Sequence, residues 1–326
     1  MKNNPRVVAA SILAAFNLDL SQGADSPYHF IKEIAVAGRA QWDYLTVDPD
    51  ARRLYLSHGA KVEVIDLDKG TVVGTIDDTP GVHGIALAPK LGRAFTSNGQ
   101  EGKASIVDLK TLKTLSKVTT GANPDSILYE DSKNEVYTFN GKGKSSTVFD
   151  PESGKVIATI DLGGKPETAA ADSAAGRIYV NIEDKSEVAV LDITSHKVIQ
   201  HWPIAPGETA SGMAIDLEHH RLFLGCDNKK MVMMDTSTGK VITTVPIGAG
   251  VDANAFDPAT RYAFSSNGED GNTTIAMESG QDKLTVVQVL KTVVGARTMT
   301  LNPKTHEIYI PAPTPSFRVL VYGINP

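Results

Sequence analysis

From residue 28 onward, the chain is a succession of short apolar and β-branched runs separated by turns rich in Gly, Asp, Asn, Pro and Lys. Apolar and polar positions tend to alternate within the runs, and this pattern predicts β-strands rather than helices. The runs come in groups of four, which we name strands a, b, c and d in chain order. The pattern therefore predicts an all-β fold of many short strands.

The groups of four recur seven times, and each contains a turn residue that serves as an anchor. The anchors are Asp48, Ala88, Glu130, Asp172, Asp216, Asp257 and Asn302, at spacings of 40 to 45 residues. An aromatic residue stands seven positions after every anchor: Tyr55, Phe95, Tyr137, Tyr179, Phe223, Phe264 and Tyr309. With only nine Tyr and nine Phe in the chain, these seven matches do not arise by chance. The spacing is that of a four-stranded blade, so we predict a seven-bladed β-propeller with antiparallel blades.

Strand c ends in an acidic residue in six of the seven repeats. These residues are Asp66, Asp108, Asp150, Asp192, Asp235 and Glu278. A carboxylate at the start of a tight turn accepts hydrogen bonds from the backbone N–H groups of that turn. We therefore interpret the six acids as structural residues of the c–d hairpins.

The seventh repeat ends after its strand c, so the last blade lacks one strand. Residues 29–36 (HFIKEIAV) precede the first strand a and have the composition of a strand. We predict that this N-terminal strand completes the last blade and closes the ring, because closure removes exposed strand edges. Residues 25–326 would then form a single propeller domain.

The first 24 residues differ from the repeats. Lys2 and Arg6 precede an apolar run over residues 7–16, and small or polar residues follow at positions 21–24. This layout predicts a signal peptide over residues 1–24, with an apolar run too short to span a membrane. We therefore expect a periplasmic or secreted protein with no membrane span in the mature chain.

Charge and motifs narrow the function classes. The formal net charge of −6 opposes nucleic-acid binding over the whole surface. The lone cysteine, Cys226, allows no intrachain disulfide and has no evident base beside it. The sequence contains no phosphate-binding loop, no serine-hydrolase elbow, no haem-attachment motif and no zinc-protease motif. These absences exclude no propeller enzyme, because propeller sites are assembled from separate blades.

The repeat pattern resembles a known family. The run R-[IL]-Y-[VL], followed by V-x-V-[IL]-D and G-K-V-[IV], is similar to the blades of YVTN-repeat β-propellers. The segments GVDANAFDPATRYAFSSNGEDG and GARTMTLNPKTHEIYIP resemble YncE-like bacterial proteins in particular. The resemblance runs from about residue 28 to residue 326. It implies an exported propeller and, by analogy with one branch, DNA binding, but the motif residues are structural and imply no activity.

Polar residues stand five positions before all seven anchors, where strand a begins. They are Asp43, His83, Asp125, Glu167, Ser211, Asp252 and Arg297. Strand a lines the central channel of a propeller, so these side chains should ring the channel mouth, which is the concave face where a ligand is expected. We predict that they bind the ligand together with His58.

The b–c loops contribute a second set of residues, ten positions after each anchor. Its members are His58, Asn98, Asn140, Ile182, Cys226, Asn267 and Ala312. The Asn-Gly pairs in this set are hairpin signals. His58 and His83 come from neighbouring blades and, with Asp43, would suit a divalent ion such as zinc or copper. No partners at ligand spacing are evident for the histidines predicted on the opposite face, which are His196, His219, His220 and His306.

Three function classes remain open. Regular blades and short loops favour a monomeric binding or interaction scaffold whose channel mouth takes a small molecule or an envelope protein. The alternative is a lactonase-like hydrolase or lyase that uses the polar, metal-binding mouth. Nucleic-acid binding comes third, because the acidic balance opposes it. The sequence assigns no catalytic residue.

Overall fold

A computed structural model describes residues 26–280 and 282–324. Within these residues, 28 β-strands form seven four-stranded sheets. The helical segments described are two 3₁₀ turns, Pro89–Leu91 and Glu183–Lys185, and neither is long and apolar enough to cross a membrane. The predicted seven-bladed all-β fold is confirmed. The predicted signal peptide at residues 1–24 lies outside the described residues.

The strands follow the predicted a–b–c–d order in each blade. The first strand is β1 (Tyr28–Ala35). Blade one contains β2 (Leu45–Asp48), β3 (Arg53–His58), β4 (Lys61–Asp66) and β5 (Thr71–Ile76). Blade two contains β6 (Val82–Ala88), β7 (Arg93–Asn98), β8 (Lys103–Asp108) and β9 (Thr114–Thr119). Blade three contains β10 (Pro124–Glu130), β11 (Glu135–Asn140), β12 (Ser145–Phe149) and β13 (Val156–Asp161). Blade four contains β14 (Pro166–Asp172), β15 (Arg177–Ile182), β16 (Glu187–Asp192) and β17 (Lys197–Pro203). Blade five contains β18 (Ala210–Asp216), β19 (Arg221–Cys226), β20 (Lys230–Asp235) and β21 (Val241–Pro246). Blade six contains β22 (Val251–Asp257), β23 (Tyr262–Asn267), β24 (Asn272–Ser279) and β25 (Lys283–Lys291). Blade seven contains β26 (Thr300–Asn302), β27 (Glu307–Ala312) and β28 (Arg318–Ile324).

The N-terminal strand closes the ring as predicted. Strand β1 pairs antiparallel with β28, from Tyr28 opposite Ile324 to Ala35 opposite Arg318, and serves as strand d of blade seven. The Tyr28 hydroxyl donates to the His306 carbonyl at 2.7 Å. One blade therefore joins the first described strand to the last, so that no blade at the junction lacks its outer strand.

The core lies between the faces of neighbouring blades. All seven repeat aromatics are buried, with at most 1% of their surface exposed. They pack with ring contacts such as Tyr28 against Phe264, with centroids 5.1 Å apart at an interplanar angle of 78°. Strands b and c are buried almost throughout, whereas strand d is largely exposed. The repeated aromatic is therefore the residue that fills the space between sheets, which explains why it recurs at a fixed distance from the anchor.

Five of the six strand-c acids cap their own turns as predicted. Asp150, for example, accepts the N–H groups of Glu152 and Ser153 at 3.1 and 2.7 Å, and the Ser153 hydroxyl at 2.7 Å. The expectation is wrong for Glu278. The β24–β25 ladder continues one pair beyond Glu278, to Ser279 opposite Lys283, and among the described residues neither of its carboxylate oxygens has a hydrogen-bond partner.

Bonds between neighbouring blades fix the backbone at the start of strand a. Six of the seven residues five positions before an anchor have a carbonyl held by a donor on the preceding blade. The donors and acceptors are Thr298 to Asp43, Tyr44 to His83, Ser97 to Asp125, Ser126 to Glu167, Thr168 to Ser211 and Ser266 to Arg297. The donor is a side-chain hydroxyl except at Tyr44, which uses its N–H. Adjacent blades thus place these residues in register around the channel.

Candidate functional site

The seven polar residues predicted at the channel mouth are half-buried or buried. They come from the start of strand a in seven different blades, so only ring closure brings them together. A cavity of 550 Å³ opens beside them, lined by Asp43, His83 and Arg297 and by the side chains of Gln41, Trp42, Gln100 and Asn123. The mouth is therefore a concave polar surface with one aromatic wall.

His83 lies between two carboxylates of the neighbouring blades. Its Nδ1 is 2.5 Å from Asp43 Oδ2 and 3.6 Å from Asp125 Oδ1. Burial alone would lower the pKa of His83, but the hydrogen bond with Asp43 and the charge of Asp125 outweigh it and raise the pKa. The imidazole is therefore held in its protonated form more strongly than a free histidine, and it serves as an internal cation.

Arg297 is the second internal cation of the mouth. Its Nε donates to Asp252 Oδ2 at 2.6 Å. Its Nη2 donates to the Trp42 carbonyl at 3.1 Å and lies 3.5 Å from Asp43 Oδ1. The guanidinium also lies over the Trp42 ring, 5.3 Å from its centroid. Ser211 completes this part of the mouth by donating its hydroxyl to Asp252 at 2.9 Å.

Glu167 is paired from its own blade. Lys165 Nζ lies 2.6 Å from Glu167 Oε1 and also contacts Glu183. Lys165 is shared between two carboxylates, and its pKa is raised, although its burial opposes this, by the hydrogen bonds with Glu167 and Glu183. One cation therefore balances two acids on this side of the mouth.

Three mouth carboxylates, Asp125, Glu167 and Asp252, have a pKa above the ordinary value. Burial raises the pKa of Asp125 to about 6, with the charge of His83 opposing the shift and the charge of Asp43 adding to it. Burial and the charge of Asp125 likewise raise the pKa of Glu167. Burial and the charge of Asp43 raise the pKa of Asp252. The four acids are thus crowded enough to repel one another despite the internal cations.

Tyr44 is a residue of the mouth that sequence reasoning missed. Burial raises its pKa well above the ordinary value, and so do the charges of four carboxylates from four blades, which are Asp252, Asp43, Glu167 and Asp125. Its hydroxyl therefore stays protonated. The sequence does contain a feature that singles out Tyr44. The residue four positions before the anchor is small in the other six repeats: Gly84, Ser126, Thr168, Gly212, Ala253 and Thr298. One bulky residue among six small ones indicates a side chain that uses the space at the hub.

Two glycines of the Asn-Gly pairs make room for site residues. A Cβ on Gly99 would lie 2.5 Å from His83 Nε2, and a Cβ on Gly268 would lie 2.7 Å from Arg297 Cβ. Both pairs stand at b–c hairpins as predicted, with Asn98 opposite Lys103 and Asn267 opposite Asn272, and the left-handed backbone lies later in each loop, at Gly102 and Gly271 with φ of 62°. The glycines after the asparagines are therefore spacing residues of the mouth.

The set ten positions after the anchors does not line the mouth. All seven residues end strand b and are buried, with at most 8% exposed. Asn98, for example, bonds Glu101 and Ser105 within its own blade. We therefore correct their placement in the b–c loops. They are buried structural residues at the C-terminal end of strand b.

His58 is the residue of this set for which we predicted metal and ligand binding with His83 and Asp43, and the structure separates it from them. Its Nδ1 lies 2.9 Å from Glu63 Oε1, and its Nε2 lies 2.8 Å from the Arg39 carbonyl. Both ring nitrogens are thus engaged, so His58 has no free ligand atom. Within residues 26–280 and 282–324, the ligand atoms that gather within 4.8 Å at the mouth belong to Asp43, His83 and Asp125. These three could hold a cation in place of the predicted set.

The remaining candidates divide into inert and paired groups. Burial raises the pKa of the Cys226 thiol to about 12, which keeps it unreactive. The sequence showed no partners at ligand spacing for the four histidines of the opposite face, and the structure gives three of them an acidic neighbour. His196 lies 2.9 Å from Glu135, His306 lies 2.8 Å from Asp257, and His219 lies 2.7 Å from Asp216. These pairs join residues that are close only in the folded ring or in its turns.

Comparison with known proteins identifies the fold and no family. No protein-family model matches the chain, and no curated protein matches it. Among solved structures, a chain of Kuenenia stuttgartiensis hydrazine synthase aligns with a TM-score of 0.76 at 15% identity, over 88% of this chain and 97% of that chain. The β-propeller domain of Myceliophteria thermophila Cps50 (Swd1) aligns with a TM-score of 0.77 at 10% identity, over 92% and 100%. At such identities the likeness concerns architecture alone, and the similarity to YVTN-repeat and YncE-like proteins stays a prediction. By its fold, the chain is a seven-bladed β-propeller scaffold.

Proposed function

We propose that this propeller is a non-catalytic binding protein whose channel mouth takes a small organic cation. One observation carries the proposal: the channel mouth gathers carboxylates from four blades, of which Asp43 lines the 550 Å³ cavity, and no hydrogen bond described for them comes from a backbone N–H. Their hydrogen-bonding and ionic partners are side chains. Carboxylates that repel one another gain stability when an external positive charge enters.

The size of the mouth favours an organic cation over a single ion. The acids are spread over blades one, three, four and six, and the cavity of 550 Å³ is of the size that holds a small molecule. The amides of Gln41, Gln100 and Asn123 offer neutral hydrogen-bonding partners along its wall. A short diamine would place one ammonium group near the acids and keep its apolar middle against the wall.

The alternative of a hydrolase or lyase would use the 2.5 Å contact between Asp43 and His83, because an acid commonly orients a catalytic imidazole. Asp43 and Asp125 both favour the protonated form of this imidazole, which is the form that cannot act as a general base. Nucleic-acid binding is opposed by the same acids, since a phosphate backbone would meet the carboxylates of the mouth. Binding of a cation therefore fits the charges of the mouth best.

The test is calorimetric titration with 1,4-diaminobutane at pH 7.5 and about 50 mM salt, where exposed charges are little screened. We expect binding of the diamine and none of the neutral 1,4-butanediol. Asp125→Asn and Asp252→Asn should each weaken binding about tenfold, because each removes a negative charge at the mouth. Asp131→Asn makes the same charge change on an exposed turn of blade three and should leave affinity unchanged.

Three results would contradict the proposal: no binding of the diamine, equal binding of the diol, or equal affinity in the mouth and control variants. The predicted export belongs to the same proposal and rests on the layout of residues 1–24. Fractionation of the producing cells, with N-terminal sequencing of the mature protein, checks it.

A further inference from the structure

A second cluster of metal-type ligands lies at the opposite face, between blades five and six. It contains Asp216 at the end of β18, His219 in the following turn, and Glu278 in β24. One ligand atom from each of the three residues lies within 4.8 Å of the other two. Two residues come from one blade and the third from its neighbour, so the cluster spans a blade junction.

The contacts of Asp216 leave one of its oxygens directed toward the other two residues. Its Oδ1 accepts the N–H groups of Glu218 and His219 at 2.9 and 3.3 Å, which is the ordinary capping of the turn. Its Oδ2 lies 2.7 Å from His219 Nδ1. The backbone turn therefore fixes the carboxylate and places the imidazole beside it.

Glu278 supplies the independent observation. Its side chain is fully buried, and among the described residues neither Oε1 nor Oε2 has a hydrogen-bond partner. Arg261 forms an ion pair with it, in which Nη2 lies 3.3 Å from Oε2. The five other strand-c acids satisfy their carboxylates with turn N–H groups. A buried carboxylate without such donors is costly unless something else binds it.

We propose that Asp216, His219 and Glu278 bind a divalent metal ion of the zinc type at the junction of blades five and six. One imidazole nitrogen and two carboxylate oxygens are a donor set that such ions accept. Ligand atoms about 2.1 Å from one ion lie about 3 to 4 Å apart, so small side-chain rotations bring the three into place. The His219 side chain is 36% exposed, which gives the ion a path from solvent and leaves coordination positions for water.

The ion has a structural consequence. Because it would bind the folded ring at two neighbouring blades, it should stabilise that junction by mass action. It would also supply ligand bonds to the Glu278 carboxylate, which has no hydrogen-bond donor among the described residues. The site stands apart from the channel mouth, so it can be tested without any knowledge of the mouth ligand.

The experiment is a titration of the full chain with zinc chloride, followed by calorimetry, native mass spectrometry and thermal unfolding. We expect a zinc ion whose binding raises the Tm by several degrees at saturation. Glu278→Gln and His219→Ala should each weaken this binding by about 100-fold or more, because ligand loss costs at least as much as loss of a supporting residue. His220→Asn is the control, since it alters the neighbouring exposed histidine and tolerates the left-handed backbone there.

Asp125→Asn separates this site from the acids of the channel mouth. Zinc binding that persists in this variant and is lost in Glu278→Gln supports the proposal. Absence of zinc binding, its retention in both Glu278→Gln and His219→Ala, or its loss in Asp125→Asn alone would overturn it. Should Glu278→Gln fail to fold, the half-exposed His219→Ala variant still decides the matter. A rise in Tm for metal-free Glu278→Gln, with no effect of zinc on either protein, would show that the two carboxylates share a proton instead.

Discussion

The acids of the c–d turns and the acids of the channel mouth come from the same repeat, but they meet different partners. At the turns, hydrogen bonds from turn N–H groups and hydroxyls lower the pKa of all five aspartates. These residues are Asp66, Asp108, Asp150, Asp192 and Asp235. At the mouth, burial raises the pKa of Asp125, Glu167 and Asp252, and neighbouring acids add to it.

The difference shows that the position in the blade, and not the residue type, decides what an acid does. A turn acid is satisfied by its own hairpin, so it stabilises the fold and has little left to offer a ligand. A mouth acid is held at the hub with other acids, so it costs stability and gains from a cation. By its sequence position Glu278 is one of the strand-c acids, but in the structure its carboxylate lacks the turn donors that the other five have.

Removal of the guanidinium at the mouth should have the largest effect. Arg297→Met leaves Asp252 with Ser211 as its described partner and takes a cation from Asp43. We expect a loss of about 2 kcal/mol of unfolding free energy at pH 7.5, since the pair is half-buried. Urea unfolding measures it, and the loss should shrink in the Arg297→Met/Asp252→Asn double variant. An additive double variant would contradict the assigned pairing.

A pH series should separate the two sets of acids next. The pKa of Asp125 is about 6 in the folded protein and about 4 in an unfolded chain, so the folded state binds more protons between these values. Stability that depends on Asp125 is therefore lost as the pH rises through this window. Compared with the Asp125→Asn variant, the wild-type protein should lose on the order of 2 kcal/mol of unfolding free energy between pH 4 and pH 7. A constant difference over this range would refute the assignment.

A turn acid should show a smaller effect of the opposite sign. Asp150→Ala removes the acceptor for two N–H groups and one hydroxyl. It should lower the free energy of unfolding by about 1 kcal/mol at pH 7. The lowered pKa of Asp150 means that its contribution is present above pH 4 and is lost as the pH falls. Urea unfolding at pH 7 and pH 3 measures both, and diamine affinity should not change.

The sequence predicted the fold because the aromatic residues that mark the repeat period are also the residues that fill the core. Aromatics seven residues after each anchor mark strand b, and the missing last strand pointed to residues 29–36, one residue away from the observed β1. Both follow from local spacing and from the need to complete every sheet. The polar register before each anchor likewise identified residues that share the hub.

The contacts within the site could not be read in the same way. His58 and His83 belong to neighbouring blades, but the strand-end position of His58 directs it to Glu63, and only the folded pleat shows this. Tyr44 stands one position after the register of seven polar residues, and what distinguishes it from its six counterparts is its size. The approach of Glu278 to Asp216 and His219 joins two blades, so the spacing within one repeat does not show it.

The most direct test of the account is the pKa of Asp125 itself. Carbon-13 NMR titration of the side-chain carboxyls, with Asp125→Asn to assign the signal, measures it in the intact protein. The account predicts a pKa near 6 for Asp125, a value below the ordinary one for the turn acid Asp150, and a fall of the Asp125 value when a diamine is bound. An Asp125 pKa at or below that of a free aspartate would contradict the claim that the mouth carboxylates are crowded enough to repel one another despite the internal cations.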